Sequence, residues 1–89
     1  MKGYVYILES TKNGSYYIGS TADLSKRFNE HHEGRVKSTR YKRPYKLVFS
    51  CQFTDIKLAR EAETKLKSWK RRDFVAKIIK DQKLNFLDA

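Results

Sequence analysis

The sequence predicts a small α/β (α+β) fold: a three-stranded antiparallel sheet flanked by about three helices, in the order β-β-α-β-α-α. Asn13-Gly14 is a strong hairpin signal, and it separates two segments rich in β-branched and aromatic residues, 3–9 and 15–20. The rest of the chain alternates helical periodicity with one more strand pattern. Its 89 residues suffice for one domain, which we place at residues 1–83, followed by a C-terminal tail at 84–89.

The predicted hairpin places the aromatic residues on defined faces. A two-residue loop pairs Leu8 with Gly19 and Ser10 with Tyr17. Side chains alternate along each strand, so the hairpin has two distinct faces. One face carries Tyr6, Leu8, Tyr17 and Gly19, and the other, which we expect to be the core face, carries Val5, Ile7, Tyr16 and Ile18.

The first helix is bounded by capping residues. Thr21 or Asp23 can cap its start, it runs to about His32, and Gly34 closes it. Arg27 and His31 are four residues apart and therefore lie on one face of the helix. Leu24 and Phe28 form a neighbouring stripe that we expect to be buried.

One strand and two helices complete the predicted fold. The strand spans residues 45–53, and Asp55 can cap a second helix that runs to about Trp69. Lys70-Arg71-Arg72 closes that helix, and Asp73 can cap the third. The residues expected to face inward are Leu58, Ala59, Ala62, Leu66 and Trp69 in the second helix, and Phe74, Val75, Ile78 and Ile79 in the third.

Charge and composition restrict the possible partners. The chain has 20 Lys and Arg against 10 Asp and Glu, a net charge of +10, which favours nucleic acid and leaves a membrane surface as the alternative. The apolar run at residues 4–8 is too short for a signal peptide or a membrane span. Cys51 stands alone, so no intramolecular disulfide or thiolate zinc cluster is expected, and Cys51 reads as a small buried hydrophobe. We expect a cytoplasmic protein, with association with the nucleoid left open.

A basic loop at residues 35–46 is the expected nucleic-acid-binding surface. Pro44 ends any helix there, and Tyr41 and Tyr45 interrupt the cations as in surfaces that follow a nucleic-acid backbone. Its six cations are Arg35, Lys37, Arg40, Lys42, Arg43 and Lys46. The loop could instead serve only solubility. Thr39 and Tyr41 are weaker candidates for phosphate contacts, and Lys70-Arg71-Arg72 could extend the surface or only favour a helix end.

With these motifs in this order, the chain resembles the GIY-YIG nuclease superfamily. The motifs are Tyr4-Val5-Tyr6, Tyr17-Ile18-Gly19, Ser20-Thr21-Ala22-Asp23-Leu24, Arg27-x3-His31 and Ala59-x3-Glu63-x3-Lys67. Tyr4 stands where the family name has glycine, but the tyrosine at Tyr6 is kept. The chain is most similar to the small stand-alone bacterial branch, often tied to the excinuclease C subunit, as indicated by Tyr41-x2-Pro44-Tyr45-Lys46-Leu47-Val48 and by Trp69 after Lys67.

The resemblance implies a phosphodiesterase that uses one divalent metal, Mg²⁺ or Mn²⁺, and a water nucleophile. Glu63 would ligate the metal. Tyr6 or Tyr17 would activate or position the water, and the sequence leaves open which of the two acts as base. Arg27 would hold the scissile phosphate. The remaining roles are support: His31 would hydrogen-bond the phosphate or a catalytic tyrosine, and Gly19 would leave space where a phosphate can approach.

Each of these residues also has a structural interpretation. Paired tyrosines on a hairpin can be cross-strand packing, and Glu63 can simply pair with Lys67 at i, i+4. Arg27 and His31 can be ordinary helix residues. The expected function is an endonuclease acting on DNA in repair or recombination, and the alternative is a nucleic-acid-binding module of the same fold with little or no catalysis. A third interpretation is a protein-interaction or structural domain whose charge is incidental. DNA against RNA, oligomeric state and a protein partner that supplies specificity stay open.

Overall fold

The computed structural model describes residues 1–69 and 72–84, without the side chain of Trp69. The elements are β1 (Gly3–Ser10), β2 (Tyr16–Thr21), α1 (Leu24–His32), a 3-10 turn (Arg40–Lys42), β3 (Tyr45–Phe53), α2 (Ile56–Trp69) and α3 (Arg72–Asp81). The sheet is antiparallel with strand order β2-β1-β3, so the first strand is central and β2 forms one edge. The predicted fold class and element order are confirmed.

The predicted hairpin register is wrong by two residues. Tyr6 lies opposite Gly19 and Leu8 lies opposite Tyr17, while Ser10 pairs with Tyr45 of β3. A shift of two residues keeps every side chain on its expected face, because the side-chain period of a strand is also two. The two faces of the hairpin are therefore as predicted.

The register differs because the turn is longer than two residues. The Ser10 amide donates to the Ser15 carbonyl oxygen (2.8 Å), so the turn lies between Ser10 and Ser15 and contains four residues, among them Asn13 and Gly14. The Ser10 hydroxyl oxygen accepts from the amides of Lys12 (3.1 Å) and Asn13 (3.2 Å). Gly14 has φ +76°, a conformation that glycine adopts without steric cost. The hydrogen bonds of the Ser10 side chain thus stabilise a longer turn in place of the predicted two-residue loop.

The two faces of the sheet pack against different helices. One face forms the larger core with α2 and α3, and its buried residues are Val5, Ile7, Phe49, Ala62, Leu66, Val75, Ile78 and Leu84. The other face packs against α1 through a smaller cluster of Tyr6, Leu8 and Tyr45, with Tyr17, Leu24 and Phe28 at its margin. Cys51 is half-buried beside the larger core. The face with the motif tyrosines is therefore the one that α1 covers.

The predicted capping residues bound the first two helices. The Asp23 side chain accepts from the Lys26 amide (3.1 Å) at the start of α1, and Gly34 after its end has φ +81°. The Asp55 carboxylate accepts from the Lys57 amide (3.0 Å) at the start of α2. Asp73 lies inside the first turn of α3 instead of capping it, because that helix begins at Arg72.

Two residues expected to face the core are exposed. Leu58 is 44% and Phe74 40% accessible. Each directly precedes a core residue, Ala59 or Val75, and a step of one residue turns a helical side chain by about 100° to the margin of the apolar stripe. The predictions for the Trp69 side chain, for Lys70 and Arg71, and for tail residues 85–89 lie outside the described residues.

No helix of the described part of the chain is long and apolar enough to cross a lipid bilayer.

Candidate active site

A buried chain of polar side chains connects the central strand to the basic loop. The Tyr6 hydroxyl lies 2.9 Å from His31 Nε2, and His31 Nδ1 lies 2.8 Å from the Thr39 hydroxyl. Thr39 in turn donates to the Val36 carbonyl oxygen (3.4 Å). A hydroxyl that donates to a carbonyl accepts from the imidazole, so this network assigns the proton to Nδ1 and leaves Nε2 to accept from Tyr6.

Burial determines the protonation states of Tyr6 and His31 in this hydrogen-bonded network. Tyr6 is 1% accessible, and His31 and Thr39 are fully buried. Burial, reinforced by the positive charge of Arg27, lowers the pKa of His31 to about 4. Burial also raises the pKa of Tyr6 to about 12, although Arg27 acts in the opposite direction. At neutral pH both groups are uncharged, so Tyr6 is a hydrogen-bond donor to a neutral imidazole.

Gly19 makes room for Tyr6. A Cβ atom at Gly19 would lie 2.5 Å from the Tyr6 hydroxyl oxygen and 2.6 Å from the ring carbon that bears it. The Tyr6 ring from the neighbouring strand therefore lies against Gly19, and the expectation that a phosphate approaches here stays a prediction.

Tyr17 lies beside this buried chain but is only half-buried. Its ring packs edge-on against the His31 ring, with centroids 4.9 Å apart, and lies 6.4 Å from the ring of Tyr6. The two tyrosines therefore differ in access: Tyr17 borders solvent, whereas Tyr6 is enclosed. Sequence alternation alone does not distinguish them.

Arg27 projects from α1 toward the two tyrosines. Its Nη1 donates to Glu30 Oε1 (3.1 Å), and its guanidinium interacts with the Tyr6 hydroxyl. Burial lowers the pKa of Arg27, but the contacts with Glu30 and Tyr6 outweigh it and raise the pKa above its ordinary value. Arg27 is thus a permanent positive charge, partly exposed at the rim of a polar cleft. This cleft has a volume of about 450 Å³ and includes Ser20, Thr21, Lys26, Arg27, Glu30 and Arg60.

Glu63 reaches the site from α2, on the other side of the sheet edge. One carboxylate oxygen accepts from the Ser20 hydroxyl, and the other accepts from Lys67 Nζ (2.6 Å). Ser20 belongs to β2, the edge strand, so the carboxylate lies at the margin of the sheet, half-buried. The predicted i, i+4 pair with Lys67 is present.

Glu63 fits a hard divalent ion held mainly by water. No group of three or more His, Cys, Asp or Glu among the described residues could hold a metal ion. Mg²⁺ is commonly bound by one or two carboxylates together with waters and substrate phosphates, which is compatible with a single partly accessible carboxylate beside a hydroxyl. The ammonium of Lys67 occupies one carboxylate oxygen, and it would have to move for an ion to bind there.

The basic loop is held together by its own arginines. The Arg40 guanidinium donates to the Gly34 carbonyl oxygen (2.9 Å), and Arg43 donates to the carbonyl oxygens of Arg40 (2.8 Å) and His32 (3.4 Å). The other predicted cations are exposed at their ends: Arg35 pairs with Glu33 (3.2 Å), Lys46 pairs with Glu9 (3.6 Å), and Lys37 and Lys42 face solvent. Tyr41 is exposed, but Thr39 is buried against His31, so the hydroxyl of Thr39 is not a phosphate contact.

For three residues of the site the sequence missed the contact: Glu30 was not singled out, Ser20 appeared only within a family motif, and Thr39 only as a weaker candidate for a phosphate contact. Glu30 is one helical turn after Arg27, and this i, i+3 spacing of opposite charges could have identified it. Ser20 meets Glu63 across 43 positions, and Thr39 meets His31 through a loop of irregular path. No local signal identifies those two, because both contacts depend on tertiary packing.

One known protein family matches most of this chain. A family model described as the GIY-YIG catalytic domain matches residues 2–78. The chain belongs to the GIY-YIG family. This is a family of nuclease domains, so the coarse function is of the nuclease type and the implied substrate is nucleic acid.

Similar GIY-YIG proteins carry the name UPF0213. The chain is 42% identical over 71 residues to a UPF0213 protein of Streptococcus pneumoniae serotype 4, which covers 79% of this chain and 71% of that protein. It is 40% identical over 73 residues to UPF0213 protein BH0048 of Halalkalibacterium halodurans, covering 81% of this chain and 77% of that protein. The solution NMR structure of UPF0213 protein BH0048 from Bacillus halodurans superposes with a TM-score of 0.58, at 34% identity, over 92% of this chain and 87% of that one.

Proposed function

We propose that this GIY-YIG protein is a metal-dependent endonuclease that hydrolyses phosphodiester bonds, with DNA in repair or recombination as its substrate. The observation that carries the proposal is the convergence of Tyr6, Tyr17, Arg27 and His31 on one side of the β2 edge, with Glu63 reaching the same edge from α2. In-line hydrolysis needs a positioned water, a charge clamp and stabilisation of the leaving oxygen. These residues can supply the first two directly.

In this mechanism Tyr17 positions the attacking water. Tyr6 is enclosed, and its hydroxyl proton is directed at His31, so it has no access to a water in the cleft. Tyr17 is half-buried, lines a second cavity at the beginning of β2, and lies against the His31 ring. We therefore assign the contact with water to Tyr17 and a positioning role to Tyr6. The water oxygen forms a new bond to phosphorus while the bond to the leaving oxygen breaks, and the proton that the water loses is balanced by the proton that the leaving oxygen gains from solvent.

Arg27 holds the scissile phosphate. One of its nitrogens is engaged with Glu30, the guanidinium also contacts the Tyr6 hydroxyl, and Arg27 lines the polar cleft, where a phosphate can reach it. Its charge offsets the negative charge that the phosphate gains in the transition state. A divalent ion at Glu63, when bound, would supply Lewis-acid stabilisation of the leaving oxygen. Ser20 keeps the Glu63 carboxylate oriented toward the edge of β2.

The experiment that tests this function uses a panel of labelled single-stranded, duplex, flapped and branched DNA with matching RNA, in Mg²⁺, Mn²⁺ or EDTA. Glu63→Gln should lower metal-dependent cleavage by at least about a hundredfold while the circular dichroism spectrum is retained. Glu61→Gln is the matched control: it removes an exposed carboxylate from the same helix and should cut like the original protein. Full cleavage by Glu63→Gln would refute the assignment of the metal ligand.

A binding module without catalysis is the second candidate, and the Glu63–Lys67 contact favours it, since the ammonium competes with a metal. Salt-sensitive binding of the same panel without any cutting would select this alternative, because phosphate contacts weaken steeply with salt.

A further inference from the structure

Two cavities border the candidate active site, one toward each end of the edge strand β2. The polar cleft described above includes Ser20 and Thr21, at the end of that strand. The second cavity has a volume of about 410 Å³ and lies at the beginning of β2. We call it the aromatic cavity, and it is lined by Tyr16, Tyr17, Ile18, Leu66, Lys67 and Arg72.

Both cavities share residues with the candidate centre. Tyr17 lines the aromatic cavity and packs on His31, and Lys67 lines it and contacts Glu63. Ser20 lines the polar cleft and contacts the same carboxylate. The centre therefore lies between the two cavities, and a ligand that crosses it along β2 meets both of them.

The chemistry of the aromatic cavity is suited to a nucleobase. Its surface is mainly aliphatic and aromatic, and two cations, Lys67 and Arg72, lie in its lining. The Arg72 guanidinium is held in place, 4.4 Å over the Tyr16 ring and donating to the Gly14 carbonyl oxygen (2.8 Å). A flat π-faced group joined to a phosphate uses both the rings and the cations, whereas an apolar peptide or lipid tail would leave the cations unused. The volume lies within the range of small-ligand sites.

We propose that the aromatic cavity binds the nucleobase of a nucleotide next to the scissile phosphate, in an unpaired strand that runs along β2. The phosphate on the other side of the cut lies in the polar cleft, near Lys26 and Arg60. A base in a duplex is stacked on its neighbours and cannot enter a cavity unless it leaves the stack, so an unpaired strand is the preferred substrate. This inference rests on the proposed function, and it adds the substrate class.

The first test requires no protein variant. Binding of a short fluorescein-labelled oligothymidylate is measured by anisotropy in EDTA, with each nucleotide in turn replaced by an abasic one. The proposal predicts a loss of about tenfold in affinity concentrated at a single position, because one base loses its stacking partners. Annealing a complement across that position should weaken binding similarly. A flat abasic profile, or equal affinity for the fully paired duplex, would overturn the proposal.

The second test locates the base in the protein. Tyr16→Leu removes one aromatic wall, and its abasic profile should become flat, since two changes that disrupt the same contact are not additive. Arg72→Gln should lower affinity for the intact oligonucleotide by about fivefold or more. Lys77→Gln is the matched control, because it removes one exposed positive charge from α3, outside the lining of both cavities, and should leave the abasic profile unchanged. If Tyr16→Leu does not fold, the abasic scan and Arg72→Gln decide the question.

The outcomes separate this proposal from the proposed function. If metal-dependent cutting requires Glu63 but the abasic profile is flat, the proposed nuclease function is supported and the proposal that the aromatic cavity binds a base is refuted. A profile unchanged in both Tyr16→Leu and Arg72→Gln would also overturn the cavity, because the sensitive base would then lie elsewhere. Absence of any binding and any cutting would refute both proposals.

Discussion

At the scale of single residues, His31 is the point on which the buried contacts of the site converge. It receives a hydrogen bond from Tyr6, donates one to Thr39 and packs against the ring of Tyr17. A neutral imidazole can bridge a donor and an acceptor in this way only in one tautomer. Thr39, which was considered only as a weak phosphate contact, therefore acts on the candidate site through His31.

Replacement of Thr39 tests this role. Thr39→Val keeps the shape of the side chain but removes the acceptor for His31 Nδ1–H, which should lower the free energy of unfolding by about 1–3 kcal/mol. Thr39→Ser keeps a hydroxyl and should preserve the tautomer. Nitrogen-15 NMR of the imidazole measures the result directly. An unchanged imidazole spectrum in Thr39→Val would show that Thr39 does not hold the tautomer.

The depressed pKa of His31 predicts how stability depends on pH. The unfolded chain protonates this histidine near its ordinary pKa of about 6.5, whereas the folded protein does so only near 4. Between these values the unfolded state binds more protons, so stability falls as the pH is lowered. The contribution of His31 should be a loss of about 2 kcal/mol between pH 7 and pH 5.

Urea denaturation of three proteins at both pH values checks this expectation. His31→Gln should lose that part of the pH dependence, and His32→Gln should keep it because His32 is exposed. The same pH dependence in His31→Gln and in the original protein would contradict the assignment of the low pKa to burial of this group.

At the scale of elements, the contact between β1 and β2 positions the tyrosines. Gly19 lies opposite Tyr6, and the missing side chain lets the ring lie across the edge strand. The basic loop is fixed at the far end of the same hairpin, where the Ser10 hydroxyl donates to the Lys42 carbonyl oxygen (2.6 Å) and the Thr11 amide donates to that of Pro44 (2.8 Å). The loop thereby holds Thr39 against α1.

Gly19→Ala should therefore disturb the site more than its size suggests. The new methyl group would overlap the Tyr6 ring, and relief of this overlap requires movement of the ring or of β2, with a cost of about 1–3 kcal/mol. The Tyr6–His31 hydrogen bond should be lost, which imidazole NMR can detect. If Gly19→Ala kept its stability and the Tyr6–His31 hydrogen bond, the Tyr6 ring would be able to avoid the new methyl group without cost, which would contradict this prediction.

At the scale of the whole molecule, the charge distribution is the dominant feature. A net charge of +10 on 89 residues favours polyanions and opposes the compact state through self-repulsion. The acidic residues Glu30 and Glu63 that lie at the site are each paired with a cation, Arg27 and Lys67. Lys26 and Arg60 in the polar cleft and Arg72 in the aromatic cavity are the further cations along the path proposed for the substrate.

This distribution predicts opposite effects of salt on folding and on binding. Sodium chloride should raise the midpoint of thermal unfolding by a few degrees, because screening reduces repulsion among the cations. The same addition should weaken oligonucleotide binding steeply, since the release of counterions into a more concentrated salt solution yields less entropy. Thermal melts and anisotropy over one salt series measure both. A midpoint that falls with salt would mean that ion pairs outweigh the net repulsion.

The sequence by itself determined the element order, the two faces of the hairpin, the caps of α1 and the pairing of Glu63 with Lys67. These features depend on interactions within a few residues, or on the two-residue and 3.6-residue periods of strands and helices, so local patterns are sufficient to predict them. The family resemblance was likewise carried by short motifs, and residues 2–78 match the family model.

Only the tertiary structure decided the register, the difference in burial between Tyr6 and Tyr17, and the contacts of His31 with Thr39 and of Ser20 with Glu63. The hairpin signal at Asn13-Gly14 was overridden because Ser10 supplies hydrogen bonds within the turn. The other features join residues that are distant along the chain, and their distances depend on how a helix and a loop pack on the sheet. That packing is set by the fit of whole surfaces, which no local pattern of residues encodes.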